Sequence, residues 1–213
     1  MKTVMNTVIV FFMGCLLTAC VTRPDEHLVP TTVNKIDEAQ AWQLTGRILV
    51  KTQNDKSSAN LFWLHSSSRD EMKLNTMLGI SVLSLNVGAK ETTLDFGGKT
   101  YKNKNPQQLL KRLTGWSIPI NHLPFWVTGQ FSDDIKVIAR TRDGRPSRLQ
   151  TRDDVPWKIQ IQSWQQIDNV ELPKLIVLER FDLKLKIQIN HWQALMPSLS
   201  AKVLPTESLT INQ

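Results

Sequence analysis

The sequence predicts a mainly β domain with an α insert: a curved antiparallel sheet forming an incomplete barrel around an apolar cavity, with short helices at its mouth. Three observations lead there. Apolar and polar residues alternate with period two along most of the chain after Trp42. The alternating runs are joined by short turns, the pattern of an antiparallel meander. One central stretch instead carries helix start and stop signals.

The first strand begins at Trp42, where Trp42, Leu44, Gly46, Ile48 and Val50 alternate with Gln43, Thr45, Arg47, Leu49 and Lys51. Asn54-Asp55-Lys56-Ser57 marks a turn, and Ala59–His65 reads as the next strand. Glu71–Leu74, Ile80–Val87 and Thr92–Gly97 follow, with Gly88-Ala89-Lys90 and Gly97-Gly98-Lys99 as turns. The centre then changes character. Asn105 is an N-cap candidate with Pro106 at the first helical position. Leu109, Leu110 and Leu113 make an apolar stripe, and Gly115 is suited to end it. An apolar connector, Trp116-Ser117-Ile118-Pro119-Ile120, leads to a second short helix over Asn121–Thr128, stopped by Gly129. Strands return at Ser147–Thr151, Trp157–Trp164, Lys174–Arg180 and Leu183–Trp192. In the last, Leu183, Leu185, Ile187 and Ile189 alternate strictly with Lys184, Lys186, Gln188 and Asn190, the clearest half-buried strand in the chain.

The N-terminus reads as a secretory signal. Lys2 supplies the positive region, and the apolar run Val8–Leu17 is shorter than the roughly 20 residues a spanning helix needs. It closes on Leu17-Thr18-Ala19-Cys20, which resembles a bacterial lipobox. In such a sequence a diacylglyceryl group is placed on the thiol and the chain is cut before the cysteine. Residues 1–19 are therefore expected to be removed, and Cys20 to be lipidated. Residues 20–37 read as a polar tether with Pro24 and Pro30; about 15 flexible residues span about 20 Å. Val33, Ile36 and Ala39 have the spacing of a short helix. Residues 38–196 form the domain, and 197–213 a loose tail. Val21 follows Cys20, where Asp favours inner-membrane retention in enterobacterial lipoproteins; the expected address is the outer membrane, with the domain facing the periplasm.

Of the two cysteines, Cys15 lies in the signal, so the domain has neither disulfide nor free thiol and rests on its core. The net charge of +7 is scattered rather than blocked, which does not suit nucleic acid. No phosphate loop, no G-x-S-x-G elbow and no ligand-spaced pair among His27, His65, His122 and His191 is present. The expectation is a non-enzyme without cofactor or metal. Tryptophan is conspicuous instead, seven against one tyrosine. Two readings fit: ordinary core packing, or a wide apolar lining.

Several stretches combine. Trp42-Gln43-Leu44-Thr45-Gly46-Arg47-Ile48 opens the domain, followed by Asn60-Leu61-Phe62-Trp63, by Leu78-Gly79 with Leu83, Leu85 and Asn86, and by Leu113-Thr114-Gly115-Trp116-Ser117-Ile118-Pro119-Ile120 leading into Leu123, Trp126, Val127 and Gly129. Trp157-Lys158 and Leu183 to Trp192 complete the order. With the lipobox, this set resembles the LolB family of outer-membrane lipoprotein receptors over roughly Trp42 to Trp192. It departs from the enterobacterial pattern in Thr76, where Pro is expected, in Pro124 within the second helix and in a longer tail.

The resemblance implies a monomeric receptor that accepts acylated lipoproteins from the periplasmic carrier LolA and inserts them into outer-membrane lipid. Burial of acyl chains is worth about 0.8 kcal/mol per methylene, so one chain represents roughly 10 kcal/mol and must stay shielded. The candidate cavity lining is Trp42, Leu44, Ile48, Leu61 and Trp63 on the first strands, and Leu83 and Leu85 on a later one. The insert adds Leu113, Trp116, Ile118, Leu123 and Trp126, and the returning strands Trp157. One slip in register inverts a whole strand's facing. Met77-Leu78-Gly79-Ile80 lies between two strand signals. Leu78 either tucks into the core at a tight turn or, as the resemblance implies, protrudes to enter the membrane. The alternative function is a scaffolding envelope lipoprotein that binds no acyl chain.

Overall fold

In the computed structural model, residues 27–198 are described. The signal region, Cys20 and the tail from Leu199 lie outside them. One antiparallel sheet is built from β1 (Leu28–Pro30), β2 (Ala41–Lys51), β3 (Lys56–Ser66), β4 (Arg69–Asn75), β5 (Ser81–Gly88), β6 (Thr92–Phe96), β7 (Lys99–Asn103), β8 (Ile135–Arg140), β9 (Pro146–Thr151), β10 (Lys158–Ile167), β11 (Val170–Arg180) and β12 (Leu183–Pro197). Two helices, α1 (Pro106–Thr114) and α2 (Leu123–Val127), sit between β7 and β8.

The strand order is β7-β6-β5-β4-β3-β2-β12-β11-β10-β9-β8, with β1 added beside β12. The sheet is therefore open, with β7 and β8 at its two edges. The insert connects those edges, so its chain must cross the sheet. It does so on the apolar face: α1 packs on β6 and β7, and α2 on β11. Leu109, Leu110, Ile118, Ile120, Leu123, Trp126 and Val127 join the same core cluster as the sheet's inward side chains.

Period-two patterning sets the facing. Trp42, Leu44, Ile48 and Val50 of β2 are buried, as are Leu183, Leu185, Ile187 and Ile189 of β12. Trp192 breaks the parity of that row, yet it too is buried. A register shift between Ile189 and His191 supplies the extra residue that brings it inward. Next to this bulge Gly46 pairs with Ile189, and a β carbon on Gly46 would lie 2.0 Å from the carbonyl oxygen of Gln188. Only glycine fits that approach.

The helix signals act as read. Asn105 Oδ1 accepts from the Gln108 amide at 2.9 Å, and Gly115, at φ 77°, donates its amide to Lys111 O. Two edge strands escaped the pattern. β7 carries Lys99, Thr100, Tyr101, Lys102 and Asn103, without an apolar row, and β8 buries only Ile135.

The tether expected through residue 37 is shorter. Leu28–Pro30 pairs with β12, the Thr31 amide donates to Ala194 O at 2.9 Å, and Gln193 Nε2 donates to Thr31 O at 2.8 Å. Val33, Ile36 and Ala39 pack on the core, and the expected helix is a single 3-10 turn at Ile36–Glu38. Backbone pairing with a free strand edge overrides the polar, proline-bearing composition.

Register places the functional features. Asn60 pairs with Asn75, and Lys51 with both Lys56 and Lys184. The β2–β3 turn, the β4–β5 loop and the β11–β12 turn thus share one end of the sheet. Lys158 pairs with Gln150 and Glu179, so the β9–β10 turn is there as well. β1 is at the opposite end.

Candidate functional site

The apolar side of the sheet gathers the predicted lining residues into one cluster. Trp42, Leu44, Ile48, Leu61, Trp63, Leu83, Leu85, Ile118, Leu123, Trp126 and Trp157 are buried in it, and Leu113 and Trp116 are half-buried at its margin. Trp63 is fully enclosed, edge-on to Trp42 with ring centroids 5.2 Å apart. Its Nε1 donates to Asp70 Oδ1 at 2.8 Å, and the same oxygen meets His65 Nδ1 at 2.7 Å. That tie fixes the ring and satisfies its one polar atom. On the other flank Trp126 lies 6.1 Å from Trp157 and stacks on His122.

The concavity is occupied by the insert's own side chains, and clefts open at its margin. One, of about 270 Å³, is lined mainly by Ile48, Val50, Ala59, Leu74, Val82 and Trp116. This is near the low end of ligand-sized pockets, about 300–1,000 Å³. Its position matters: Leu74 and Val82 lie on the two strands that carry the β4–β5 loop. Sequence reading missed Val50, Leu74 and Val82 as lining. Val50 and Leu74 follow from the same alternation, whereas half-exposed Val82 gives no such signal.

The β4–β5 loop presents Met77, Leu78 and Ile80 to solvent, Leu78 at 88% exposure, with Gly79 at φ 82° making the turn. Leu78 is thus at a tip and not in the core. The tip is not slack. Thr76 N donates to Ile80 O at 2.8 Å, Gly79 N to Thr76 O at 3.0 Å, and Ile80 N to Thr76 Oγ1 at 3.1 Å. Proline at position 76 has no amide for the first of these. The hydrogen-bonded frame presents these apolar side chains outward.

A second cleft, of about 350 Å³, is more polar. It lies between the insert and the β9–β10 turn and is lined by Trp126, Trp157, Asp134, Arg152, Asp153 and Arg180, among others. Asp134 accepts from Ser132 Oγ, which holds its carboxyl below the usual range, and Asp153 accepts from Thr151 Oγ1 at 2.8 Å. Trp157 Nε1 and Arg180 Nε are buried and have no hydrogen-bond partner among the described residues. Such orphaned donors typically cost about 1–3 kcal/mol each.

Comparison with known proteins follows the same lines. A family model described as outer membrane lipoprotein LolB matches residues 40–192. The outer-membrane lipoprotein LolB of Shewanella sediminis is 46% identical over 191 residues, covering 90% of this chain and 86% of that one. Its counterpart in Shewanella woodyi is 44% identical over 194 residues, covering 91% and 89%. Among solved structures, a LolA superfamily protein from Nitrosomonas europaea superposes with a TM-score of 0.47 at 8% identity, covering 73% of this chain and 86% of that one. The chain belongs to the LolB family of outer-membrane lipoproteins.

Proposed function

We propose that this protein accepts acylated lipoproteins from the periplasmic carrier LolA on the apolar side of its sheet and delivers them into the outer membrane through the Met77–Ile80 tip. The observation that carries this reading is Leu78, exposed on a pinned loop whose flanking strands line the apolar cleft. A monomeric domain anchored through an acylated Cys20, its signal peptide removed, would work at the periplasmic face of that membrane without cofactor or catalysis.

Loading requires room. The insert spans the concavity from edge to edge, so acyl chains enter as it parts from the sheet, exchanging its side chains for methylenes. The exchange keeps apolar surface covered throughout. The next step is downhill if the bilayer holds the chains more tightly; about 1.4 kcal/mol gives a tenfold preference. The cleft beside Trp116 leads from the concavity toward the loop, and the tip dips into the acyl boundary. A scattered basic surface speeds encounter with an acidic rim on the carrier.

Leu78→Glu tests the reading. The domain keeps its stability and takes lipoprotein from LolA, but transfer to liposomes fails, because a carboxylate resists the hydrocarbon region. Undiminished transfer by the folded variant overturns the role of the tip. The anchor is tested separately: mass spectrometry of the native N-terminal peptide finds Cys20 acylated and first in the chain, and an unmodified Cys20 overturns it.

A further inference from the structure

The most exposed large apolar side chains gather at one end of the sheet. Among the described residues, Leu78 is 88% exposed, Met77 and Phe181 79% and Ile80 64%, and the next, Phe125, falls to 50%. Three of the first four belong to the β4–β5 loop. The fourth, Phe181, stands on the β11–β12 turn, which shares that end. Arg180 pairs with Leu183, so Phe181 and Asp182 make a two-residue turn. Phe181 holds a φ of 53° there, where such turns favour glycine, asparagine or aspartate. The other non-glycine residue at positive φ among the described residues is Asp168, a type that tolerates it. A bulky side chain is thus held on strained backbone, and the core does not bury its ring. The ring's neighbour is the Arg180 guanidinium, 5.7 Å from its centroid.

Strain without burial points to a contact outside the chain. A single ring on a convex turn offers a wedge and not a groove, which suits a soft apolar phase. We infer that Phe181 is a second membrane contact, entering the headgroup–acyl boundary of the same bilayer as the Leu78 tip. The inference rests on the reading of that tip as membrane-directed. The charges beside Phe181 cancel: Glu179 pairs with Lys184 at 2.6 Å, and Asp182 offsets Arg180. The ring, and not attraction to anionic lipid, therefore carries the contact. Apolar side chains of surface-bound elements sit about 5–10 Å into that boundary. Three strand spacings separate β4 from β12, about 14 Å across the sheet. One contact leaves the domain free to roll about it. Two contacts fix its tilt, and the cleft beside Trp116 then keeps one orientation to the bilayer while chains leave.

Nitrile infrared spectroscopy tests the contact on the whole protein, purified from membranes and reconstituted into liposomes of phosphatidylethanolamine and phosphatidylglycerol. p-Cyanophenylalanine replaces Phe181, Leu78 or Phe125, one position at a time; its nitrile stretch falls in frequency on leaving water. The stretch is expected at the apolar frequency for positions 181 and 78 and at the water frequency for position 125. A water-like nitrile at 181 with an apolar one at 78 overturns the second contact and leaves the tip standing. Water-like nitriles at both overturn the tip reading as well. An equal shift at 125 overturns a contact confined to this end. A shift at 181 produced by loaded LolA without liposomes assigns the turn to the carrier and overturns the lipid assignment. Phe181→Gly supplies a second readout, because it relieves the backbone. Its Tm should equal or exceed the native value, and its uptake from the carrier should be unchanged, while transfer to liposomes falls severalfold. Undiminished transfer by this variant overturns the inference.

Discussion

Thr76 and Ile80 close the loop that carries Leu78 by exchanging two hydrogen bonds: Thr76 N donates to Ile80 O at 2.8 Å, and Ile80 N donates to Thr76 Oγ1 at 3.1 Å. The hydroxyl therefore does at the tip what a cap does for a helix end. Thr76→Val keeps the branched shape and removes one acceptor, a loss of about 1 kcal/mol. Hydrogen exchange at the Ile80 amide should quicken, and delivery to liposomes should fall while uptake from the carrier holds. An unchanged Ile80 exchange rate would show that the hydroxyl does not hold the loop.

Apolar character, not shape, is what the tip requires. Leu78→Phe and Leu78→Ile should both transfer lipoprotein at near-native rates, with stability within about 0.5 kcal/mol of native because the site is exposed. A transfer assay in which either variant fails like Leu78→Glu would mean that Leu78 is read by a shaped pocket.

Gly46→Ala should destabilise the domain by about 1–3 kcal/mol or more, as overpacking does. Its new methyl would meet the Gln188 carbonyl at the β2–β12 contact. The change is read as a lower Tm. An unaltered Tm would mean that the β12 bulge yields easily.

Leu109 is fully buried between α1 and the sheet. Leu109→Ala should cost about 2–5 kcal/mol and, by weakening the seat of the insert, should speed uptake from LolA at temperatures where the variant is folded. Slower uptake by the folded variant would contradict loading by movement of the insert.

How far the sequence was legible follows from these elements. Strands with one buried face announce themselves, so β2, β5 and β12 could be read and the facing of Trp42, Leu83 and Leu185 with them. Asn105, Pro106 and Gly115 delimited α1, because caps are local chemistry. β7 and β8 gave little signal, since an edge strand need not bury a full apolar row. β1 gave none, being held by backbone pairing to β12, a partner more than 160 residues away. Trp192 shows the limit of counting by twos: a single bulge at β12 reversed its facing. For the site, the residues alone placed Leu78 between two strands without choosing tip or core, and only the family resemblance favoured the tip. The bonds from Thr76 that decide it depend on where the loop folds back. The polar cleft was invisible because Asp134, Trp157 and Arg180 meet only through three separate returns of the chain.

Whether acyl chains occupy the apolar side of the sheet is decided most directly by photocrosslinking during transfer from the carrier. Benzoylphenylalanine replaces Trp116, half-buried at the cleft below the loop, or Arg47, exposed on the opposite face of β2. On illumination with a lipoprotein-loaded carrier, position 116 is expected to capture the cargo's acyl chains and position 47 to capture none. Equal capture at both positions, or acyl capture at position 47 alone, would contradict the placement of cargo within the sheet's concavity.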